Sequence, residues 1–588
     1  MEQDKLYKMR HTLAHILAQA VLQMYPEAKL AIGPVIEEGF YYDFDLVGKS
    51  FSHMDLPKIE KRMKKIIAEG QIMEGYDIDV DAAIEYLHKK NQVYKEELAA
   101  DLKKDGEKKV SFYTLVDKRG VKKFKDLCMG GHVDSTKEIG AFKLTKIAGA
   151  YWRGDEKRLM LQRIYGVAFE NEKELAGYLA RIEEARKRDH KKLGVELDLF
   201  TFSELVGAGL PLWTPKGTLL RNILDDFVWQ LRKEKGYEKV EIPHITKKDL
   251  YEKSGHWEKF QNELFKIVTR EEHLFVMKPM NCPHHTQIYA RRQHSYREMP
   301  QRYVTTTMCY RDEQTGELQG LSRVRSITQD DAHVFCRFNQ VKDEIKKIWD
   351  IVHAFYKAIG FSLEVRLSLH DPQEPKKYLG TPDVWKNSEN ILRKIVAEEK
   401  AKSYEALGEA AFYGPKIDFM AKDSLGREWQ VATIQLDMNM PERFDLVCVN
   451  EKSEKERIVM IHAAIMGSIE RFLSIVIEHF AGAFPVWLSP VQIQIIPVSK
   501  DYVSHAQDLA KEFMNENFRV EIDESNETVG YKIRKAEKGK SPYMLVVGEK
   551  EANSIDVSVR SRGKKDIETI SKKDFISFVH DAIEKKIN

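Results

Sequence analysis

From about residue 168 to 195 the sequence runs through NEKELAGYLARIEEARKRDHKKLG, which is charged, alanine-rich and free of proline. Such a stretch favours a long, partly exposed helix joining two domains. It divides a chain of 588 residues into unequal parts, a length that implies about three or four domains. Apolar residues at 43% and charged residues at 32% suffice for packed cores under a well-solvated surface. The 94 basic residues are balanced by 92 acidic ones, leaving a net charge of +2. Any contact with nucleic acid must therefore use local patches.

The five cysteines, Cys128, Cys282, Cys309, Cys336 and Cys448, are scattered and odd in number. That argues against a disulfide framework and for a reducing compartment. The opening MEQDKLYKMRHTLAH has no apolar leader region, and no run approaches the ~18–20 apolar residues of a spanning helix. The expectation is a cytoplasmic protein with no membrane partner.

Before the divider, Leu13, Ile16, Leu17, Ala20 and Val21 fall at helical spacing, FYYDFDL (40–46) alternates as a strand, and MDLPKIEKRMKKIIAEG (54–70) returns to helical period. After it, a Pro215-Lys216-Gly217 turn precedes a helix, Gly236 stands where a C-cap belongs, and VEIP (240–243) follows as a short strand. From Pro490 onward strands and helices alternate. QIQIIPV, FRVEID, YMLVVG and SIDVSVRS read as strands. DYVSHAQDLAKEFMNEN, ETVGYKIRKAEKG and SKKDFISFVHDAIEKK read as helices. That pattern implies a compact α/β domain with a mixed sheet.

Three middle segments stand together: the helix ending in VEIP, TMCYRDEQTGELQGLSRVRSITQDDAHVF (307–335) and IHAAIMGSIERFLSIVIEHF (461–480). In this order and spacing they resemble the three motifs of class II aminoacyl-tRNA synthetases. Within that class the chain resembles the threonyl-tRNA synthetase family, bacterial type, through MKPMNCPHH, LSRVRSITQDDAHVF, FYGPKIDF, REWQVATIQLD and MIHAAIMGSIERF. The resemblance implies an α/β multidomain (α+β) protein. Residues 1–170 would be an α+β editing domain, 171–198 a helical linker and 199–485 a class II catalytic domain built on an antiparallel sheet. Residues 486–588 would be an α/β anticodon-binding domain. Bacterial-type members usually begin with a small ubiquitin-like domain, whereas this sequence opens directly on the editing segment.

Amino-acid activation places a carboxylate in line with the α-phosphate of ATP, so fixed cations are needed around the developing charge. The resemblance assigns Arg311 to the α-phosphate, Glu313 to the adenine amino edge, and Arg323 and Arg471 to the rest of the ATP site, with Mg2+ on the phosphates. Arg471 would also stack its planar guanidinium on adenine, which lysine could not do. Ile327 stands where family members usually carry an adenine-stacking phenylalanine, so the aromatic contact is lost. Gln430 and Thr433 belong to the same cleft.

The resemblance also makes Cys282, His333 and His462 the ligands of one zinc ion. Their gaps of 51 and 129 residues match no finger or ribbon pattern, and each residue alone reads as an ordinary buried one. Three protein ligands leave zinc an open position. Threonine can offer its amino and hydroxyl groups there. Valine lacks the hydroxyl and is rejected. Asp331 is the expected acceptor for that hydroxyl, with Met280, Gln329, Tyr413 and Gln435 lining the pocket.

Serine carries the same two groups and lacks only a methyl, worth roughly 1–3 kcal/mol, so a hydrolytic second site is expected. His11 and His15 share one helix face at i, i+4, and Cys128 and His132 are four apart in the glycine-containing DLCMGGHV. One cysteine and three histidines can make a metal site. The family's editing site is instead thought to hydrolyse the ester without metal, with Asp126 assisting. A purely structural cluster is the third reading. Gly131 stands where a proline often precedes the histidine.

At the C-terminal end the resemblance assigns Asn526, Glu551 and Arg560 to anticodon bases and RKAEKGK (534–540) to the RNA backbone. The partners implied are tRNA(Thr), ATP, L-threonine and a second copy of the chain, docked through the first motif (about 215–243). The competing readings are another class II synthetase and a catalytically silent RNA-binding paralogue.

Overall fold

The computed structural model describes residues 5–586. It divides into two compact units, one up to Glu183 and one from Glu184 onward. Among the described residues no helix is long and apolar enough to cross a membrane.

In the first unit, helix α1 (Lys5–Met24) buries Met9, Leu13, Ile16, Leu17 and Ala20 along one stripe. That stripe packs on strand β1 (Gly39–Asp45) and helix α2 (Leu56–Glu69). Gly70 ends α2 at φ +64°, donating its N–H to Ile67 O, a left-handed cap that glycine adopts without penalty. A three-stranded antiparallel sheet follows, of β2 (Ile72–Asp79), β3 (Lys109–Val116) and β4 (Lys122–Leu127). The hairpin β5 (Ala141–Tyr151) and β6 (Met160–Phe169) then returns to pair with β1.

The expected long helix is broken. Helix α3 (Glu172–Arg188) stops, and α4 (His190–Glu196) starts afresh behind Asp189, whose carboxylate accepts the N–H of Lys191 at 2.8 Å. An aspartate able to cap its own downstream backbone competes with helix continuation.

In the second unit, α5 (Pro215–Glu234) begins at Pro215 itself, and Thr214 Oγ1 accepts the Gly217 N–H at 3.2 Å. Pro-Lys-Gly is thus the first turn of the helix, where proline's missing N–H is harmless, and not a turn ahead of it. Gly236 follows the last helical turn at φ +79°. The short strand lies two residues earlier than VEIP: β7 is Glu238–Lys239, and Val240 adds only one further bond, its N–H to Val304 O at 2.9 Å.

The main sheet of this unit adds β8 (Gln301–Tyr310), β9 (Ser326–Cys336), β10 (Leu363–Leu369), β11 (Ser403–Leu407), β12 (Lys416–Lys422), β13 (Glu428–Asp437) and β14 (Val459–Ser468). The order is β7-β8-β9-β14-β13-β12-β10-β11. Only the two end pairs are parallel. Helix α6 (Cys282–Ala290) lies beside β9, and α7 (Val341–Ile359) and α8 (Ile469–His479) pack against the sheet. The main core gathers Ile345, Val352, Phe355, Ile434, Ile461 and Phe472.

One buried polar group pins this sheet. Asp330, fully buried on β9, accepts the N–H groups of Ile465, Met466 and Gly467 at 2.9, 3.1 and 2.8 Å. Arg232 of α5 reaches its carboxylate at 3.3 Å. Burial raises the Asp330 carboxyl to about 6.

The C-terminal part is a five-stranded mixed sheet in the order Val520–Ile522, Ile493–Pro497, Tyr543–Val547, Asp556–Ser561 and Glu568–Ser571. Its first two pairings are parallel and its last two antiparallel. The final strand was not among those expected.

Replacing Arg232 with methionine leaves Asp330 buried without its cation. The expected cost is about 3–5 kcal/mol, read as a lower denaturation midpoint. A loss under about 1 kcal/mol would show that the three backbone donors suffice.

Candidate active site

Alternation along antiparallel strands turns residues i and i+2 to one face. Gln329, Asp331 and His333 on β9 share a face, as do Thr433, Gln435 and Asp437 on β13. His462 on β14 lies opposite both His333 and Gln435. Cys282 is the first residue of α6. The donor atoms of Cys282, His333 and His462 all lie within 4.8 Å of one another.

Each imidazole is oriented from behind. His462 Nε2 meets Asp437 Oδ2 at 2.9 Å, leaving Nδ1 to face His333 Nε2 at 3.0 Å. His333 Nδ1 is taken by His285 Nδ1 at 2.8 Å. Carboxylate and imidazole supports of this kind fix ligand orientation in metal sites. Burial holds the His333 imidazole well below the ordinary range and pushes the Cys282 thiol well above it.

A cavity of about 640 Å3 opens onto this cluster. It is lined by Met280, Gln329, Asp331, Tyr413 and Gln435, and by Arg311 and Thr433. Tyr413 stacks on His462 at 4.9 Å and donates its hydroxyl proton to Gln435 Oε1. Asn281 Nδ2 donates to Asp331 Oδ2 at 3.1 Å, and burial raises the Asp331 carboxyl. Among the described residues the Arg311 guanidinium has no hydrogen-bond or ion-pair partner. An unpaired arginine in a half-enclosed cavity is a place for an anion.

Of the other expected ATP residues, Glu313, Arg323, Gln430 and Arg471 are not in the lining of this cavity. Arg323 pairs with Glu313 at 2.7 Å and Glu317 at 3.3 Å. Arg471 lies 5.8 Å from the centre of the Trp429 ring, and burial lowers its guanidinium. Gln430 is held between Arg366 (2.7 Å) and Asp418 (2.9 Å), and Thr433 also donates to Asp418, at 2.8 Å.

The second cluster lies in the first unit. The donor atoms of His11, His15, Cys128 and His132 also fall within 4.8 Å of one another. The Cys128 sulfur is 3.4 Å from His11 Nε2 and 3.2 Å from His132 Nε2. Asp126 Oδ2 lies 3.4 Å from His15 Nδ1. Cys128 to His132 form a loop with Gly130 at φ +98° and Gly131 at φ +86°. Proline is fixed near φ −65°, so this loop takes a path closed to a proline at Gly131. Burial is the main cause that lowers His11, His15 and His132 and raises Cys128 to about 11.

Comparison with known proteins agrees with this layout. Residues 265–480 match the family described as tRNA synthetase class II core domain (G, H, P, S and T). Residues 492–582 match the anticodon binding domain. Residues 110–165 match the threonyl and alanyl tRNA synthetase second additional domain. The threonine–tRNA ligase of Azobacteroides pseudotrichonymphae is 46% identical over 582 residues, covering 98% of this chain and 88% of that protein. The threonine–tRNA ligase of Acetivibrio thermocellus is 47% identical over 580 residues, covering 98% and 89%.

The chain belongs to the threonine–tRNA ligase family.

The fold agrees: the RNA binding domain of threonyl-tRNA synthetase from Cryptosporidium parvum superposes with a TM-score of 0.64 at 36% identity, over 67% of this chain and 98% of that one. The class II core of the family is thus the antiparallel sheet described above.

The structure adds residues that the sequence did not single out. His256 lines the cavity fully buried, with Nε2 3.9 Å from the Cys282 sulfur, and burial pushes it down to about 3. Asp437 and His285 stand behind the two cluster imidazoles. Lys95 (2.8 Å) and Tyr42 (2.5 Å) hold Asp126 in the second cluster. Asp437 was within reach, since it follows Gln435 by two on the same strand. His256 and Lys95 carry no local signal.

Of the three residues expected at the anticodon, Asn526 is exposed in a loop. Glu551 is turned inward, accepting from Gly548 N–H (3.1 Å) and Ser558 Oγ (2.8 Å). Arg560 pairs with Glu537 at 2.5 Å.

A thiol raised to about 11 reacts slowly at neutral pH. Alkylation of Cys128, the one cysteine not fully buried, should speed up about tenfold per pH unit from 7 to 10. A plateau near pH 8, followed on the Cys128 peptide by mass spectrometry, would show a thiolate stabilised by its histidines.

Proposed function

We propose that this chain activates threonine with ATP as threonyl-adenylate and transfers it to its cognate tRNA(Thr). The observation that carries the proposal is the single cavity joining Cys282, His333 and His462 to Asp331, Gln435, Tyr413 and the unpaired Arg311. Arg311 would take the α-phosphate, while Mg2+ neutralises the other phosphates. Arg323, Glu313 and Arg471 would complete the ATP site, with Gln430 acting from behind through Arg366 and Asp418.

Cys282, His333 and His462 fit zinc on their own chemistry. They are one sulfur and two nitrogen donors of the type zinc prefers. They are buried, close together, and backed by Asp437 and His285. Bound there, zinc would supply a Lewis-acidic position able to take an amino group and a hydroxyl. Asp331 would accept the hydroxyl proton of threonine, and Tyr413 and Gln435 would close the pocket around the methyl.

The second cluster would remove serine from mischarged tRNA. Burial favours the neutral forms of His11, His15 and His132, which would position a water against the ester. Asp126, fixed by Lys95 and Tyr42, would orient His15. The close approach of four donor atoms favours a second reading, a metal-bound editing site. Residues 1–170, 171–198, 199–485 and 486–588 would be the editing, linker, catalytic and anticodon-binding parts. The family matches fall within three of them. Asn526, Glu551 and Arg560 would meet the anticodon, Glu551 after leaving its internal partners. Five free cysteines suit the cytoplasm.

The chain would act as a homodimer. Leu205, Leu212 and Ile245, which flank α5 and the edge strand β7 in the sequence, are exposed, and an uncovered sheet edge invites a partner. Light scattering should give twice 68.3 kDa; a monomer at micromolar concentration would end this part of the proposal.

The deciding experiment is ATP–pyrophosphate exchange on zinc-loaded protein. Threonine should exceed valine by about 10,000-fold, and serine by only about 10–200-fold. Zinc content should be close to one per chain, lost in Cys282→Ser and retained in Cys128→Ser. Two zinc ions, one of them lost in Cys128→Ser, would establish the metal-bound editing site. No exchange with any amino acid would bring the silent-paralogue reading forward.

A further inference from the structure

His190 opens α4, is 4% exposed, and belongs to neither site described above. Its backbone N–H and its Nδ1–H both donate to Glu478 Oε1 of α8, at 3.1 and 2.6 Å. With the proton on Nδ1, Nε2 is a bare acceptor, and it takes the backbone N–H of Leu321 at 3.1 Å. The partners fix the tautomer.

Leu321 sits in a tight loop that carries an expected ATP residue. Ser322 N–H donates to Gln319 O at 2.9 Å, and Gln319 N–H donates to Arg323 O at 3.1 Å. Ser322 Oγ meets Ser474 Oγ of α8 at 3.1 Å. Gly320 lies at φ +54°, and a Cβ there would stand 2.4 Å from His190 Nε2. The loop therefore rests flush on the imidazole, and only glycine permits it.

The contact continues on the other side. Glu478 Oε2 accepts from Arg427 Nη2 at 2.6 Å. The guanidinium groups of Arg427 and Arg471 both face the Trp429 ring, at 5.3 and 5.8 Å. Asp189, His190 and Glu478 come close enough to suggest a metal site. Yet both ring nitrogens of His190 and both oxygens of Glu478 are already engaged, so of the three only Asp189 could still offer a donor, too few for a metal site.

We propose that His190 is a positioning residue for the ATP site. It sets the backbone at Gly320–Leu321 and with it Arg323. Glu478, itself held by Arg427, anchors the other side of the imidazole. The inference rests on the reading of Arg323 as an ATP contact. It gives the break at Asp189 a purpose: a continuous helix would have no reason to turn this histidine into the catalytic unit.

Two variants separate positioning from mere packing. His190→Asn keeps a donor near the Nδ1 position and loses the acceptor for Leu321. His190→Gln keeps an acceptor near the Nε2 position and loses the side-chain donor to Glu478. In threonine-dependent pyrophosphate exchange by the full zinc-loaded chain, His190→Asn should raise KM for ATP roughly tenfold or more. His190→Gln should stay within about threefold. KM for threonine and zinc content should be unchanged in both. Gly320→Ala should reproduce the His190→Asn effect from the other side of the contact. Equal ATP KM values for the Asn and Gln variants, or a higher value for Gln, would overturn the proposal, as would an unchanged ATP KM in folded Gly320→Ala. Arg323→Ala is the control. If it raises ATP KM while His190→Asn does not, the inference falls alone. If it does not, the reading of Arg323 falls and takes the inference with it.

Discussion

Asp330 is the interaction on which the catalytic unit depends. Its neighbour Asp331 faces the cavity, so the two carboxylates point to opposite sides of β9. Asp330 is locked to three consecutive amides of β14 and to Arg232 of α5. A register slip of one residue would reverse every side chain on β9. His333 would then leave His462, and Gln329 and Asp331 would leave the cavity. The carboxylate that faces the core thereby fixes the geometry of the residues that face the substrate.

Burial then determines the charge state of what has been assembled. Both thiols are pushed up, and burial lowers His333 in the catalytic unit and His11, His15 and His132 in the first unit. With both thiols raised, burial disfavours a free thiolate in either cluster. In the catalytic unit a dication would compensate a thiolate that burial alone forbids. In the first unit neutral imidazoles beside an ionic Asp126–Lys95 pair suit orientation of water. The two clusters share residue types and separation, and their surroundings set them apart: the one in the catalytic unit opens on a cavity with an unpaired arginine.

How much of this the sequence carries depends on how local each feature is. The stripe of α1, the end of α2 at Gly70 and the alternation of the C-terminal part are local, and they were legible. So was the pairing of His11 with His15, because a helix brings i and i+4 together. The break at Asp189 was missed because capping competes with a strong helical period over only two residues. Lysine-rich, charged text around Glu568–Ser571 hid an edge strand. His333 and His462 meet through strand register and Cys282 joins them from the start of α6, across 180 residues of chain, which no spacing rule encodes, and only the family resemblance pointed to them. The same resemblance led to Gln430, Glu551 and Arg560. All three have internal partners here, and their contacts with ligand are not legible from position alone.

The central claim is that threonine is selected by direct ligation at a Cys282–His333–His462 zinc site. Zinc X-ray absorption on the loaded protein tests it most directly. The account predicts one sulfur and two imidazole ligands from the protein, and a gain of nitrogen or oxygen ligands on adding threonine but not valine. An unchanged spectrum with threonine, or a fourth protein ligand closing the site, would contradict it.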